Sequence, residues 1–285
     1  MLNGRVSSDG AVSVGGLRSD RCGLAGLCTQ WAGFDGASRS LALTDGWTGR
    51  WRAQWRASGA PVLCAVRDLA SMPISRCEPV RRFSWRRGQR HRPGLQFMVS
   101  TGRHHGFESI AEQRLLLALD FAGGVSDVLG QPFRLRFATG SGWREHIPDF
   151  LALTAEGGLL IDVRPGERIG DDDRVCFAAA REAALAAGWR YLVVTGWRPH
   201  VQTGLDTLSA QRRPLRDPLG LQSELFMAVA SGPRSFGDLV AATRLPAVAR
   251  THALHLIWHR RLGIDLSAPL SDAALVWASP VGAGR

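Results

Sequence analysis

Apolar residues recur through the middle of this chain with the spacings of alternating helices and strands. Over residues 108–121, Leu115, Leu116, Leu119 and Phe121 fall on one side of a helical period. Ser109 and Glu112 form a capping box at its start, and Gly123-Gly124 ends it. Phe133, Leu135 and Phe137 then alternate with Arg134 and Arg136, which predicts a strand whose arginines face water. Residues 147–153 and 159–163 read as two more strands, joined by a Glu156-Gly157-Gly158 turn. Residues 172–187 are alanine-rich and helical, stopping at Gly188, and residues 191–195 make a short buried strand. The order α-β-β-β-α-β predicts a compact α/β sandwich.

A polar connector with Arg and Pro, residues 211–218, precedes a second pattern. An apolar helix is expected over residues 223–230. Ser235 and Asp238 open a second helix over 236–243, and Pro246 starts a third that reaches Leu262. Residues 264–266 and 275–277 predict a short hairpin. Three helices and a hairpin are the order of a winged helix-turn-helix. Residues 1–75 show no sustained period beyond one strand-like piece at 61–66, and are expected to be disordered or loosely structured. The chain thus divides at 1–75, 76–210 and 211–285.

Charge sharpens this division. All 35 basic residues are arginine, against 25 acidic ones, for a formal net charge of +10. Residues 1–100 hold 15 arginines and 6 acids, so nearly all the surplus lies in the first third. It peaks at Arg76, Arg81, Arg82, Arg86, Arg87, Arg90 and Arg92, with Phe83 and Trp85 among them and a single Glu78. Guanidinium forks bind phosphate and aromatic rings stack on bases, so Arg81, Arg82, Arg86 and Arg87 are candidate DNA contacts. A solvated basic linker in an arginine-biased chain explains the same residues equally well. The five cysteines are odd in number and form no C-x-x-C pair, which implies neither a disulfide framework nor a zinc site. No run approaches the roughly 18 apolar residues of a membrane span, and no signal pattern opens the chain, so a cytoplasmic location is expected.

The candidate chemistry lies on the central hairpin. Asp149 stands in His146-Ile147-Pro148-Asp149-Phe150, and Asp162 and Arg164 in Ile161-Asp162-Val163-Arg164-Pro165. A spacing of two puts Asp162 and Arg164 on one strand face, and the Gly-Gly turn would set Asp149 beside Asp162. Two carboxylates about 4 Å apart repel by on the order of 4 kcal/mol at an effective dielectric near 20. A divalent cation between them relieves that repulsion, and Mg²⁺ so held can activate water against a phosphodiester. Simpler roles fall to the neighbours. Glu108 is a solvated helix-start charge, His146 a supporting residue, Gln131 a turn former and Asp171-Asp172-Asp173 a helix cap. His252, His255 and His259 share a helix with Arg250, Arg260 and Arg261, facing phosphate, a partner or water.

Taken in order, Glu112, Gln131-Pro132-Phe133, His146–Phe150 and Ile161–Pro165 resemble the PD-(D/E)XK nucleases. Within that superfamily they are similar to the TnsA-like endonuclease subunit of heteromeric transposases, over roughly residues 81–277. The resemblance implies a restriction-endonuclease-like αβββαβ core with a C-terminal winged-helix domain. It implies Glu112, Asp149 and Asp162 as catalytic metal ligands, joined by the Val163 carbonyl, with Mg²⁺ or Mn²⁺ as cofactor. DNA cut at transposon ends would be the substrate, and a DDE-type transposase subunit and an ATPase regulator the partners. Arg164 stands where the family usually has lysine. Arginine cannot act as a base, but it can hold water or stabilise developing charge. Two other readings stay open: a weak or inactive nuclease-fold assembly subunit, and a stand-alone restriction or repair nuclease.

Overall fold

A computed structural model describes residues 16–81 and 93–280. In chain order the elements are α1 (Leu24–Leu27), β1 (Cys28–Gln30), α2 (Phe34–Ser38), α3 (Trp47–Arg50), β2 (Arg52–Ala57), β3 (Ala60–Ala65) and β4 (Cys77–Glu78). Next come β5 (Gly94–Met98), β6 (Arg103–Phe107), α4 (Ile110–Ala122), β7 (Val125–Gly130), β8 (Phe133–Thr139) and β9 (Gly142–His146). They are followed by β10 (Phe150–Thr154), β11 (Gly157–Val163), α5 (Asp171–Ala186), β12 (Arg190–Trp197) and α6 (Val201–Ser209). The last set is α7 (Leu221–Val229), β13 (Arg234–Ser235), α8 (Phe236–Ala241), α9 (Pro246–Trp258), β14 (Leu262–Ile264) and β15 (Leu275–Ala278). The protein is mixed α/β, as expected.

Two units are distinct, Cys22–Arg216 and a smaller one made of Met1–Arg21 with Asp217–Arg285. In the larger unit a five-stranded sheet has the order β1-β12-β11-β10-β7. β10 and β11 are an antiparallel hairpin, and β12 returns parallel to β11 through α5. The hairpin turn explains its glycines. Gly157 has a φ of 97°, and a Cβ on Gly158 would lie 2.8 Å from the Trp189 ring.

A second sheet, β3-β2-β8-β9 with β4 beside β2, corrects two expectations. The strand at 133–137 does not join the central sheet but pairs with β2, Trp55 opposite Phe133 and Ala53 opposite Leu135. Residues 16–75, expected to be loose, are folded. Trp51, Trp55, Val66 and Leu69 are fully buried in one core with Phe133, Leu135 and Phe137. The alanines of α5 (Ala178, Ala179, Ala180, Ala183, Ala184) share that core with Leu151 and Leu160 of the central sheet. Small side chains let backbone approach on more than one side of a helix, which explains why α5 is so rich in alanine. Residues 1–15 lie outside the described residues.

In the smaller unit α7, α8 and α9 are followed by β14 and β15, with β13 added to the same sheet in the order β13-β15-β14. Residues 16–21 belong here too: Ser19 N–H donates to Ile264 O, and Leu266 N–H to Leu17 O. No helix among the described residues is long and apolar enough to cross a membrane.

Candidate active site

Each expected carboxylate is placed by its own local structure. Ser109 caps α4: its Oγ accepts from Glu112 N–H at 3.2 Å, while Glu112 Oε2 accepts from Glu108 N–H at 2.8 Å. Ser109 Oγ–H also donates to Glu112 Oε1 at 2.9 Å. Glu112 therefore closes the start of α4 against the Glu108 amide, one residue before the cap, as well as being a candidate ligand. Burial raises its carboxyl above the usual range, against those hydrogen bonds.

Asp149 precedes β10. Its N–H donates to Ile161 O at 3.1 Å, and its own carbonyl accepts from Gln131 N–H at 2.7 Å. Phe150 pairs with Ile161, so the next step of the register sets Asp149 opposite Asp162 on one face of the sheet. Asp149 Oδ2 accepts from Val163 N–H at 2.7 Å, so Val163 meets the site through its amide. Burial first, then the charges of Asp162 and Glu112, push the Asp149 carboxyl well above its ordinary range. Asp149 thus lies within electrostatic reach of both Asp162 and Glu112.

Asp162 is almost fully buried and both its oxygens are engaged. His146 Nε2 lies 3.0 and 3.1 Å from them, and Tyr191 O–H donates to Oδ2 at 2.5 Å. Burial alone would lower the imidazole pKa, but the Asp162 carboxylate raises it to about 10. His146 is thus a cation held against Asp162, the supporting role expected for it. Burial and the neighbouring Asp162 charge push the Tyr191 phenol well above its usual value, which keeps it a donor.

The other expected residues divide. Arg164 is engaged by another carboxylate: its guanidinium lies 3.3 Å from Asp173 and donates to Arg168 O. Asp173 Oδ2 accepts from Gly170 N–H at 3.0 Å, which makes it the cap of α5 as expected. Gln131 sits in its turn at a φ of 46°, with its buried Oε1 unpartnered among the described residues. Glu108 pairs with Arg81 at 3.6 Å, so this arginine of the dense stretch lies at the start of the helix that carries Glu112. Arg82, Arg86 and Arg87 lie outside the described residues.

Tyr191 was missed from sequence, although it is the chain's one tyrosine. It is the second residue of β12, the strand that runs parallel to β11, and lies level with Leu160. That register puts it on the Asp162 face, and a long side chain leaning along the strand covers the remaining distance.

These side chains fit a hard divalent cation in chemistry. The three carboxylates are oxygen donors, and Asp149 Oδ2, which accepts one hydrogen bond from Val163 N–H, keeps a second lone pair, whereas Asp162 Oδ2 is already met by both His146 and Tyr191. The charge imposed on Asp149 is the kind that a cation relieves. Among the described residues, however, no set of three His, Cys, Asp or Glu side chains stands ready to hold a metal. Neither a family model nor a curated protein matches this chain.

Proposed function

We propose that the chain is a metal-dependent DNA endonuclease of the PD-(D/E)XK type, acting as the TnsA-like subunit of a heteromeric transposase. The reading assigns residues 76–210 to a restriction-endonuclease-like core and the smaller unit to a winged helix. The observation that carries it is Asp149 buried opposite Asp162 in the β10–β11 register, its carboxyl pushed well above the ordinary range by burial first and then by the charges of Asp162 and Glu112.

In this reading Glu112, Asp149 and Asp162 would hold Mg²⁺ or Mn²⁺, with the Val163 backbone beside them. When bound, the ion supplies charge for the scissile phosphate and a lowered pKa for the attacking water. The chain's own residues do the positioning. His146 and Tyr191 fix the rotamer of Asp162, and the Val163 amide fixes Asp149. α4 delivers Glu112 from a capped and therefore rigid first turn. Arg164 is the nearby cation that would meet the phosphate after leaving Asp173. DNA is the substrate, and a DDE-type transposase and an ATPase regulator are the partners this reading requires.

A second reading, a nuclease-fold assembly subunit without activity, is favoured by one observation: Arg164 is tied to Asp173 rather than free at the site. Plasmid nicking with Mg²⁺ or Mn²⁺, with and without the partner transposase, separates the two. Wild type is expected to nick and Asp149→Asn to fall to background. Equal nicking by both proteins would remove Asp149 from the chemistry. DNA binding without any nicking would favour the assembly subunit.

A further inference from the structure

The second sheet has one face in the core and one in solvent, and the solvent face is arginine-rich. From β2 it presents Arg52, Gln54 and Arg56, the residues between the buried Ala53 and Trp55. From β8 it presents Arg134 and Arg136, and from β9 Trp143 and Glu145. The register makes Arg52 the direct cross-strand partner of Arg136, and Gln54 that of Arg134. Cβ atoms of such partners lie about 4.5–5.5 Å apart, and like charges there are destabilising.

Among the described residues only half of this charge is answered by an ion pair. Glu78 pairs with Arg56 at 3.1 Å and Glu145 with Arg134 at 2.9 Å. Arg136 has Glu145 as its cross-strand neighbour on β9, but that carboxylate is bonded to Arg134, and among the described residues no ion pair joins Arg52 or Arg136 to an acid. Their guanidiniums part instead, Arg52 onto the Gly49 carbonyl and Arg136 over the Trp143 ring, 5.1 Å from its centroid. Trp143 is itself 51% exposed, a large ring left in water on a strand that could have carried a polar residue there. A shallow hollow of about 240 Å³ opens on the same face, lined by Gln54, Arg56, Pro61, Val80 and Arg134. Val80 immediately precedes Arg81, so the hollow adjoins part of the arginine-dense stretch.

We infer that this sheet face is a second DNA-binding surface, taking the phosphate backbone of a duplex through Arg52 and Arg136. The polyanion supplies the negative charge that the opposed pair lacks. Trp143 supports the Arg136 guanidinium from one side, leaving its fork to phosphate oxygens. Arg56 and Arg134, already neutralised, border the contact without adding net charge. β9 also connects the face to the catalytic centre: Trp143 and Glu145 point outward from it, while His146, from the opposite side of the strand, reaches Asp162. This rests on the reading of the chain as a DNA endonuclease, and it assigns to that activity a contact remote from the carboxylates.

The test is binding of a short fluorescent duplex by the full chain across a salt series, with nicking measured in parallel. Wild type is compared with Arg52→Gln/Arg136→Gln, with Arg52→Lys/Arg136→Lys, and with Arg190→Gln, which removes an arginine already paired to Glu156. Each phosphate contact adds roughly 0.9 to the log–log slope, so the double glutamine variant should lose about 1.8. The lysine pair should keep most of the slope, and Arg190→Gln all of it. Thermal melting of each variant shows that the fold is retained. An unchanged slope in the double glutamine variant overturns the inference, whatever the nicking result. Wild type that binds no duplex overturns it together with the endonuclease reading. Binding that follows the arginines while Asp149→Asn nicks like wild type leaves the surface standing and removes only the catalytic assignment.

Discussion

Single residues carry the electrostatics of the site. The His146 imidazole, raised from 6.5 to about 10 by Asp162 despite its burial, is charged in the folded protein and largely neutral in the unfolded chain at neutral pH. A raised basic group contributes stability that is fully present below its unfolded pKa and is lost as pH rises through its folded pKa. Metal-free protein should therefore lose melting temperature between pH 6.5 and about 10, and His146→Gln should lose less over that window. Parallel melting curves for the two proteins would show that the ion pair adds nothing. Arg164 yields a second expectation at this scale. If its fixed charge serves the reaction, Arg164→Ala costs about 10²–10³ in nicking rate, the size of one lost electrostatic stabiliser. Asp173→Ala, which releases the guanidinium, should then nick at least as fast as wild type. Full activity in Arg164→Ala would leave the residue with only its contact to α5. Asp149 and Asp162 were legible as a pair because a Gly-Gly turn between two strands sets them side by side, whereas Glu112 read locally as a helix-cap residue and joined them only through the family resemblance. Tyr191 was not legible, because its role depends on a parallel register that no local pattern reveals.

Among the elements, α4 joins fold and chemistry most directly. Ser109→Ala removes the acceptor for Glu112 N–H and the donor to its carboxylate. A lost N-cap costs about 1 kcal/mol. Nicking should fall by more than that loss of stability explains, since Glu112 also loses its orientation. If activity instead simply tracks the fraction folded, the cap has no positioning role. α4, α5 and the β10–β11 hairpin could be read in advance because long periods, caps and a Gly-Gly turn are local signals. β2 could have been read too. Trp51, Ala53, Trp55 and Ala57 alternate with Arg52, Gln54 and Arg56, a period of two that the small alanines hide in a region otherwise rich in Gly, Ser and Arg. The strand at 133–137 was correctly seen, but its sheet was misplaced, because pairing β8 with β2 spans a sequence separation that periodicity does not encode.

At the scale of the whole molecule, the two units are not arranged one after the other along the chain. The smaller one is built from both ends, with Leu17 and Ser19 hydrogen-bonded to the backbone around β14 and Arg18 stacked on Trp277. Removing residues 1–21 should therefore weaken the distant C-terminal unit. Hydrogen exchange at the Ile264 and Leu266 amides should speed up, both of which bond to this segment. Unchanged protection there would mean that the segment only rests on the unit. The same threading makes the larger unit, Cys22–Arg216, an insertion within the smaller one. A protease nick in the connector at residues 211–218 would sever the peptide without releasing either piece. The amino-terminal fragment would still hold its partner through the Leu17–Ser19 bonds, and the two halves would elute together until denatured.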